Sequence, residues 1–270
     1  MTQTILITGA SSGIGKATAE GFFERGWNVV ATMRTPKAER SDPRWLSVAL
    51  DVTDESSVTR ALQAAVSRYG RIDVLVNNAG YGLSGTFESM SEAQIRRQFD
   101  TNVFGLMRVS RAVIPQFRAQ SSGGTLINIA SMGGRLTFPF YSVYHATKWA
   151  VDGFTESLAF ELEPLGIRVK LVEPGAIKTD FYDRSQEFVH DRSLGAYNAM
   201  VDVGMRKMKK AGTRGAPASA VAEAIWQAAT DNSTRLRYVV GSDAKSLLAM
   251  RRVLGGDAAY RKLIASQLLK

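Results

Sequence analysis

Thr4-Ile5-Leu6-Ile7-Thr8-Gly9-Ala10-Ser11-Ser12-Gly13-Ile14-Gly15, running on into a helical pattern from Lys16 to Arg25 that Gly26 closes, decides the fold. The apolar run predicts a strand, the glycines a tight turn, and the periodicity beyond them a helix. Glycines let a backbone approach a ligand closely, and the free N–H groups at a helix N-terminus attract a pyrophosphate. The spacing is Gly-x-x-x-Gly-x-Gly, not the commoner Gly-x-Gly-x-x-Gly. Glycines alone would serve a structural turn equally well; their place after the first strand is what points to a dinucleotide.

The same alternation continues along the chain. Strands are predicted at Asn28–Met33, Trp45–Leu50, Ile72–Val76, Thr125–Ala130, Ile167–Val172 and Leu236–Val240. Between them lie helical stretches from Asp54 to Tyr69, with Val58, Leu62, Ala65 and Val66 facing inward and Thr53 or Asp54 as cap, from Gln94 to Arg118, from Tyr144 to Leu165 and from Ala216 to Asp231. Strands separated by helices imply a doubly wound, mostly parallel seven-stranded α/β sheet of Rossmann type, with helices on both faces. The 270 residues suit one such domain. Periodicity fades from Asp180 to Gly215 while Phe181, Tyr182, Phe188, Tyr197, Met200 and Met205 keep the stretch apolar, as in a substrate lid. Residues from Ala244 to Leu269 form a helical tail around Gly255-Gly256.

Composition excludes several kinds of chemistry. There is no cysteine, so neither a disulfide nor a thiolate nucleophile is available, and two distant histidines, His145 and His190, argue against a histidine-rich metal site. Redox chemistry needs a borrowed cofactor. The net charge of +9 is spread out, densest at Arg206-Lys207-Lys209-Lys210, and reads as a solvated basic face tolerant of anionic cofactors rather than a nucleic-acid surface. No run is long enough to cross a bilayer, and the N-terminus starts directly on a strand without a secretory pattern, so a cytoplasmic protein is expected.

The chemistry centres on Ser131 and on Tyr144-His145-Ala146-Thr147-Lys148. Residues four apart on a helix lie roughly 5–6 Å from each other at Cβ, so Tyr144 and Lys148 act together. An unperturbed phenol titrates near ~10, and an adjacent ammonium favours the phenolate, making Tyr144 a candidate acid/base. Tyr141 is its rival, but lies seven residues from Lys148 instead of four. Ser131 follows the Thr125–Ala130 strand, and the carboxyl ends of strands are where ligands bind in open α/β sheets. After the second strand, where an NAD-preferring protein offers an acid to the ribose, stand Met33 and Arg34. A guanidinium there grips a 2′-phosphate, which favours NADP(H) over NAD(H), with Ser11, Thr35 and Lys37 as further contacts; otherwise Arg34 is a surface charge.

Taken in order, Thr8-Gly9-x-x-x-Gly13-x-Gly15, Asn77-Asn78-Ala79-Gly80, Thr101-Asn102-Val103-Phe104-Gly105, Ser131, Tyr144-x-x-x-Lys148 and Glu173-Pro174-Gly175 resemble the classical short-chain dehydrogenase/reductase family over about residues 4 to 242. In general look the chain is similar to the branch with 17β-hydroxysteroid and retinol dehydrogenases. The resemblance implies a catalytic set of Asn102, Ser131, Tyr144 and Lys148, with Asn102 holding a water that links the lysine to solvent. It implies cofactor contacts from Gly9, Ser11, Ser12, Gly13, Ile14, Gly15, Arg34, Asp51, Val52, Asn78, Ala79, Gly80, Tyr144, Lys148, Pro174, Gly175, Ile177 and Thr179, with Asp51 at the adenine. Asn77 reads as structural. A homodimer or homotetramer pairing through the helices of Asn102 and Tyr144 is implied too, acting on a small carbonyl or alcohol.

Overall fold

Every residue of β1 (Thr4–Ile7), β4 (Val74–Asn77) and β6 (Gly124–Ile129) is buried, as expected of strands covered on both faces. The computed structural model describes residues 2–36, 40–178, 185–254 and 256–269, without the side chains of Lys209 and Ala211. With β2 (Asn28–Met33), β3 (Trp45–Ala49), β7 (Ile167–Pro174) and β11 (Arg237–Val240), the three buried strands form a seven-stranded sheet in the order β11-β7-β6-β4-β1-β2-β3. All of its pairings are parallel.

Side chains alternate between the two faces. Ile5, Ile7, Val29 and Val76 pack with Ala19 and Phe22 of α1 (Gly13–Glu24) and with Val221 and Ile225 of α7 (Ala218–Thr230). Leu6, Val30, Leu75 and Leu126 meet the opposite layer: α2 (Glu55–Tyr69), α4 (Leu106–Ala119) and α5 (Ser142–Leu162). Winding reverses between β1 and β4. The crevice at their carboxyl ends is therefore the topological switch point, where such sheets take ligands.

Local signals explain the helix boundaries. Asp54, not Thr53, caps α2 by accepting from the Ser56 amide, and Gly70 ends it at φ 75°. The single helix expected from Gln94 to Arg118 is instead α3 (Glu92–Phe99), a π-helical turn over Asp100–Gly105, and α4. Ser91 and Gln94 close a capping box at the start of α3.

The expectation of fading periodicity over residues 180–215 is corrected within 195–213 by α6 (Gly195–Thr213), whose Val201 and Gly204 are buried and whose Tyr197 and Met208 are partly buried, all near one face. Ahead of it, β9 (Gln186–Val189) pairs with β5 (Gly82–Gly85); behind it, β10 (Ala216–Pro217) pairs with β8 (Ile177–Lys178). The tail forms α8 (Ser242–Val253) and α9 (Asp257–Leu268), and packs Tyr260 and Ile264 against Leu136, with Met132 and Phe138 beside them. Among the described residues, no helix is long and apolar enough to cross a membrane.

Candidate active site

The glycine turn lies at the switch point and is held from β4. Thr8 Oγ1 accepts from the amides of Asn78 and Ala79, both at 3.0 Å, while Asn78 Nδ2 donates to the carbonyls of Thr8 (2.9 Å) and Gly9 (3.1 Å). Gly9 has φ +69°, and a Cβ on Gly15 would stand 2.4 Å from the Gly9 oxygen, so neither position admits a side chain. Ser11 is exposed, Ser12 precedes the first turn of α1 without capping it, and Gly13 and Ile14 open that helix. The Asn78 amide thus braces the turn, a role beyond the cofactor contact expected of it. Asn77 is structural, donating to Ser110 and Asn128.

At the end of β2, Met33 is buried in the core and Arg34 is exposed, with no hydrogen bond or ion pair to any described residue. Lys37 lies outside the described residues. Asp51 Oδ1 accepts from the amide and hydroxyl of Thr53, and Val52 is buried with its carbonyl held by Arg108. At the β7 end, the Gly175 amide donates to Val240 and the Ala176 amide to Asp243 Oδ2 at 2.7 Å. A Cβ on Gly175 would stand 2.4 Å from Asp243 Oδ1, so a side chain there would displace the Asp243 carboxylate. Pro174 closes β7, Ile177 is buried in β8, and Thr179 lies outside the described residues.

Of the four catalytic candidates, Ser131 and Lys148 meet the carboxyl end of β6 directly, Tyr144 stands beside Lys148, and Asn102 reaches α5 through Thr147. Ser131 leaves the strand extended, and its Oγ accepts from the Gly133 amide at 3.0 Å. Tyr144 occupies the first turn of α5, which begins two residues earlier than expected, and Lys148 Nζ is 5.8 Å from the Tyr144 ring centre. Lys148 Nζ donates to the Ile129 carbonyl at 2.9 Å, and burial lowers its pKa to about 8. Tyr141 precedes the helix, is buried, and takes a hydrogen bond from Gln186 of β9. Tyr141 thus ties the start of α5 to β9.

Asn102 sits in the π-helical turn, a feature that recurs at functional sites. Its Oδ1 accepts from the Tyr81 amide, and its Nδ2 donates to the Tyr81 carbonyl and to Thr147 Oγ1. Thr147 in turn donates to the Tyr144 carbonyl. Both amide protons are thus spent on protein, and the side chain braces β5 and Gly80 against α5; a Cβ on Gly80 would stand 3.0 Å from Asn102 Oδ1.

A family model described as short chain dehydrogenase matches residues 3–189. The chain belongs to the short-chain dehydrogenase/reductase family. It is 38% identical over 222 residues to an uncharacterised oxidoreductase of Schizosaccharomyces pombe, covering 81% of this chain and 92% of that one. It is 44% identical over 181 residues to a 3-ketodihydrosphingosine reductase of Bacteroides thetaiotaomicron, covering 67% and 66%. Among solved structures it is similar to a short-chain dehydrogenase of Streptomyces avermitilis, with TM-score 0.83, 36% identity and 97% of each chain covered. Several of the solved neighbours hold cofactors. A Burkholderia cenocepacia short chain dehydrogenase is in complex with NADP (TM-score 0.75, 25% identity, 100% and 98% covered), and a 3-ketoacyl-(acyl-carrier-protein) reductase of Brucella melitensis is complexed with NADH (0.74, 27%, 88% and 96%).

Two residues that shape this short-chain dehydrogenase site were not singled out in the sequence. Asp243 reads locally as an acid in the first turn of α8, yet it clamps a loop 67 positions upstream. His145 reads as part of a helical run, yet it is buried, and burial lowers its pKa to about 4. The sign follows directly. Unfolded His145 takes a proton near 6.5 and folded His145 does not, so stability is full above about 6.5 and falls as pH drops towards 4. That loss should reach about 3 kcal/mol, at ~1.4 kcal/mol per pKa unit. Urea melts from pH 7 to 4 should show His145→Phe losing less over this window than the parent; equal losses would remove His145 as the cause.

Proposed function

We propose that the protein is an NADP(H)-dependent oxidoreductase that transfers a hydride between the nicotinamide and an apolar carbonyl or secondary alcohol. The observation that supports this is that Ser131 and Lys148 meet the carboxyl end of β6, with Tyr144 beside Lys148, at the same end of the parallel sheet as the glycine turn. The turn fits a dinucleotide: Gly9 and Gly15 exclude side chains beside the α1 N-terminus, leaving backbone room for a pyrophosphate. When bound, the cofactor supplies or accepts the hydride. In the reducing direction Ser131 Oγ holds the substrate oxygen and Tyr144 gives it a proton, while Lys148 places positive charge beside the phenol. Asn102 holds α5 in register with β5. In oxidation Tyr144 takes the proton back. Two of the relatives are named for reduction of a 3-keto compound, which supports a ketone as substrate. A panel of ketones with NADPH and NADH, followed at 340 nm, tests the reading; turnover of none of them would count against it.

The preference for NADP(H) rests on Arg34, an exposed guanidinium with no partner among the described residues. A charge-assisted hydrogen bond contributes roughly 1.5–3 kcal/mol, so Arg34→Ala should lower kcat/KM for NADPH by about ten- to a hundred-fold and spare NADH. Arg34→Asp should invert the ratio, since a carboxylate repels the 2′-phosphate and accepts from ribose hydroxyls. The acid belongs at position 34 because Met33 is part of the core. An unmoved ratio would return Arg34 to the status of a surface charge.

The same reading takes the whole chain as one nucleotide-binding domain, with residues 180–215 as the lid and 244–270 as the tail. It also takes the protein as a homodimer or homotetramer. Phe104, beside Asn102, is 53% exposed, and Phe160 on α5 is 79% exposed, apolar surface that a partner copy would cover. Sedimentation at micromolar concentration should show the oligomer; a monomer alone would refute it.

A further inference from the structure

His145 follows Tyr144 directly, and its ring is 5% exposed. Nδ1 lies 3.0 Å from the Gly133 carbonyl oxygen, and Nε2 lies 3.0 Å from the Phe138 amide nitrogen. A carbonyl only accepts and an amide N–H only donates. Both contacts are therefore satisfied by one species alone, the neutral imidazole with its proton on Nδ1. The imidazolium would face the Phe138 amide donor to donor.

The two anchors bracket the turn that follows Ser131. Gly133 accepts from the imidazole through its carbonyl, and donates through its amide to Ser131 Oγ at 3.0 Å. With that lone pair occupied, the serine keeps its own proton for a substrate oxygen. The fit is close: a Cβ on Gly133 would stand 2.5 Å from His145 Nδ1, and one on Gly134 would stand 2.9 Å from the Lys148 carbonyl oxygen. The glycines let the turn lie flush on α5. The His145 ring also meets those of Phe138, Tyr141 and Tyr144 at centroid distances of 5.6, 5.8 and 5.8 Å.

We propose that His145 is a positioning residue: kept neutral with its proton on Nδ1, it staples the turn after Ser131 to the helix of Tyr144, and so sets the serine hydroxyl against the phenol. It acts through Gly133 and touches no reacting atom. The inference rests on the proposed roles of Ser131 and Tyr144. Those groups stand on different elements, one at a strand end and one on a helix, and a misplacement of about 1 Å between reacting groups costs up to about a hundred-fold in rate.

Two measurements test it. The chain has two histidines, so 15N-histidine labelling gives two pairs of imidazole nitrogen signals, which His190→Gln assigns. His145 should remain neutral with a protonated Nδ1 between pH 5 and 8. The opposite tautomer, or a titration near the ordinary ~6.5, would overturn the staple. In kinetics with NADPH and an apolar ketone that the panel above shows to be turned over, His145→Phe, which keeps the ring packing and loses both hydrogen bonds, should lower kcat about ten- to a hundred-fold with NADPH affinity unchanged. His145→Asn, whose amide nitrogen falls near the place of Nδ1, should recover much of it. In a Ser131→Ala background His145→Phe should cost nothing more, because its effect passes through the missing hydroxyl. Multiplying penalties, or a kcat unaffected by His145→Phe, would overturn the proposal. Were Ser131→Ala itself without effect, the catalytic reading would fall, and the imidazole signals would still decide the staple. Should His145→Phe not fold, the asparagine variant and those signals carry the test.

Discussion

Tyr144→Phe is expected to lose about 10²–10⁴-fold in turnover, the range typical of a removed general acid, while NADPH affinity stays near that of the parent. The change deletes one oxygen from a ring in the first turn of α5 and leaves the ring's contacts with Tyr141 and His145 in place. On the proposed reading, binding of the dinucleotide rests mainly on the glycine turn, which the change leaves intact. Tyr141→Phe is the matched control. Its hydroxyl accepts from Gln186 of β9, so its loss should loosen the lid and raise KM for the carbonyl without abolishing chemistry. Fluorescence titration with NADPH beside steady-state kinetics separates the two effects. If Tyr141→Phe is the dead variant and Tyr144→Phe the active one, the proton donor has been misassigned.

Lys148→Met should suffer in both turnover and cofactor affinity, and should gain in stability. The ammonium is desolvated, which lowers its pKa from 10.5 to about 8, so it carries its charge at neutral pH at a cost to folding. Unfolded lysine keeps its proton up to about 10.4, so between pH 8 and 10 the unfolded state binds more protons and stability rises with pH. At pH 7 that cost approaches 3 kcal/mol by the same arithmetic, offset in the variant by about 1 kcal/mol for the lost bond to Ile129. A net gain on the order of 1–2 kcal/mol should raise the thermal midpoint by several degrees. Loss of function with gain of stability is the pattern of a group retained for chemistry. The parent's kcat/KM for NADPH, which reports the free protein, should also fall as pH rises through about 8. A Lys148→Met protein that melts lower and still turns over would contradict the role of the lysine.

Much of this was legible in the chain because short-range patterns carry it. The run Thr4–Thr8 with Gly9, Gly13 and Gly15 announces strand, turn and helix within a dozen residues, and six further strands repeat the motif in order. Tyr144 and Lys148 are visible because helical spacing itself brings them together. The π-helical turn was not legible: a run from Gln94 to Arg118 looks the same to a 3.6-residue periodicity whether or not one turn is widened. The Asn102 side chain acts through Tyr81, some twenty residues away, and Thr147, on another helix, and those contacts exist only after the chain has folded. The same holds for Asp243 on the loop after β7 and for His145 on Gly133 and Phe138. Helix α6 was obscured by its composition, since Gly204 and Gly212 dilute its apolar face.

The account stands or falls on hydride transfer. The direct measurement is incubation of the purified protein with NADPH deuterated at nicotinamide C4 and a set of apolar ketones, with loss of absorbance at 340 nm read beside mass spectrometry of the products. One secondary alcohol should form per NADPH consumed, with deuterium on its carbinol carbon when the label is on the transferred face, and neither signal should appear with Tyr144→Phe. Cofactor that binds without being consumed across the whole set, or oxidation of NADPH that leaves no deuterium in an alcohol from either labelled face, would contradict it.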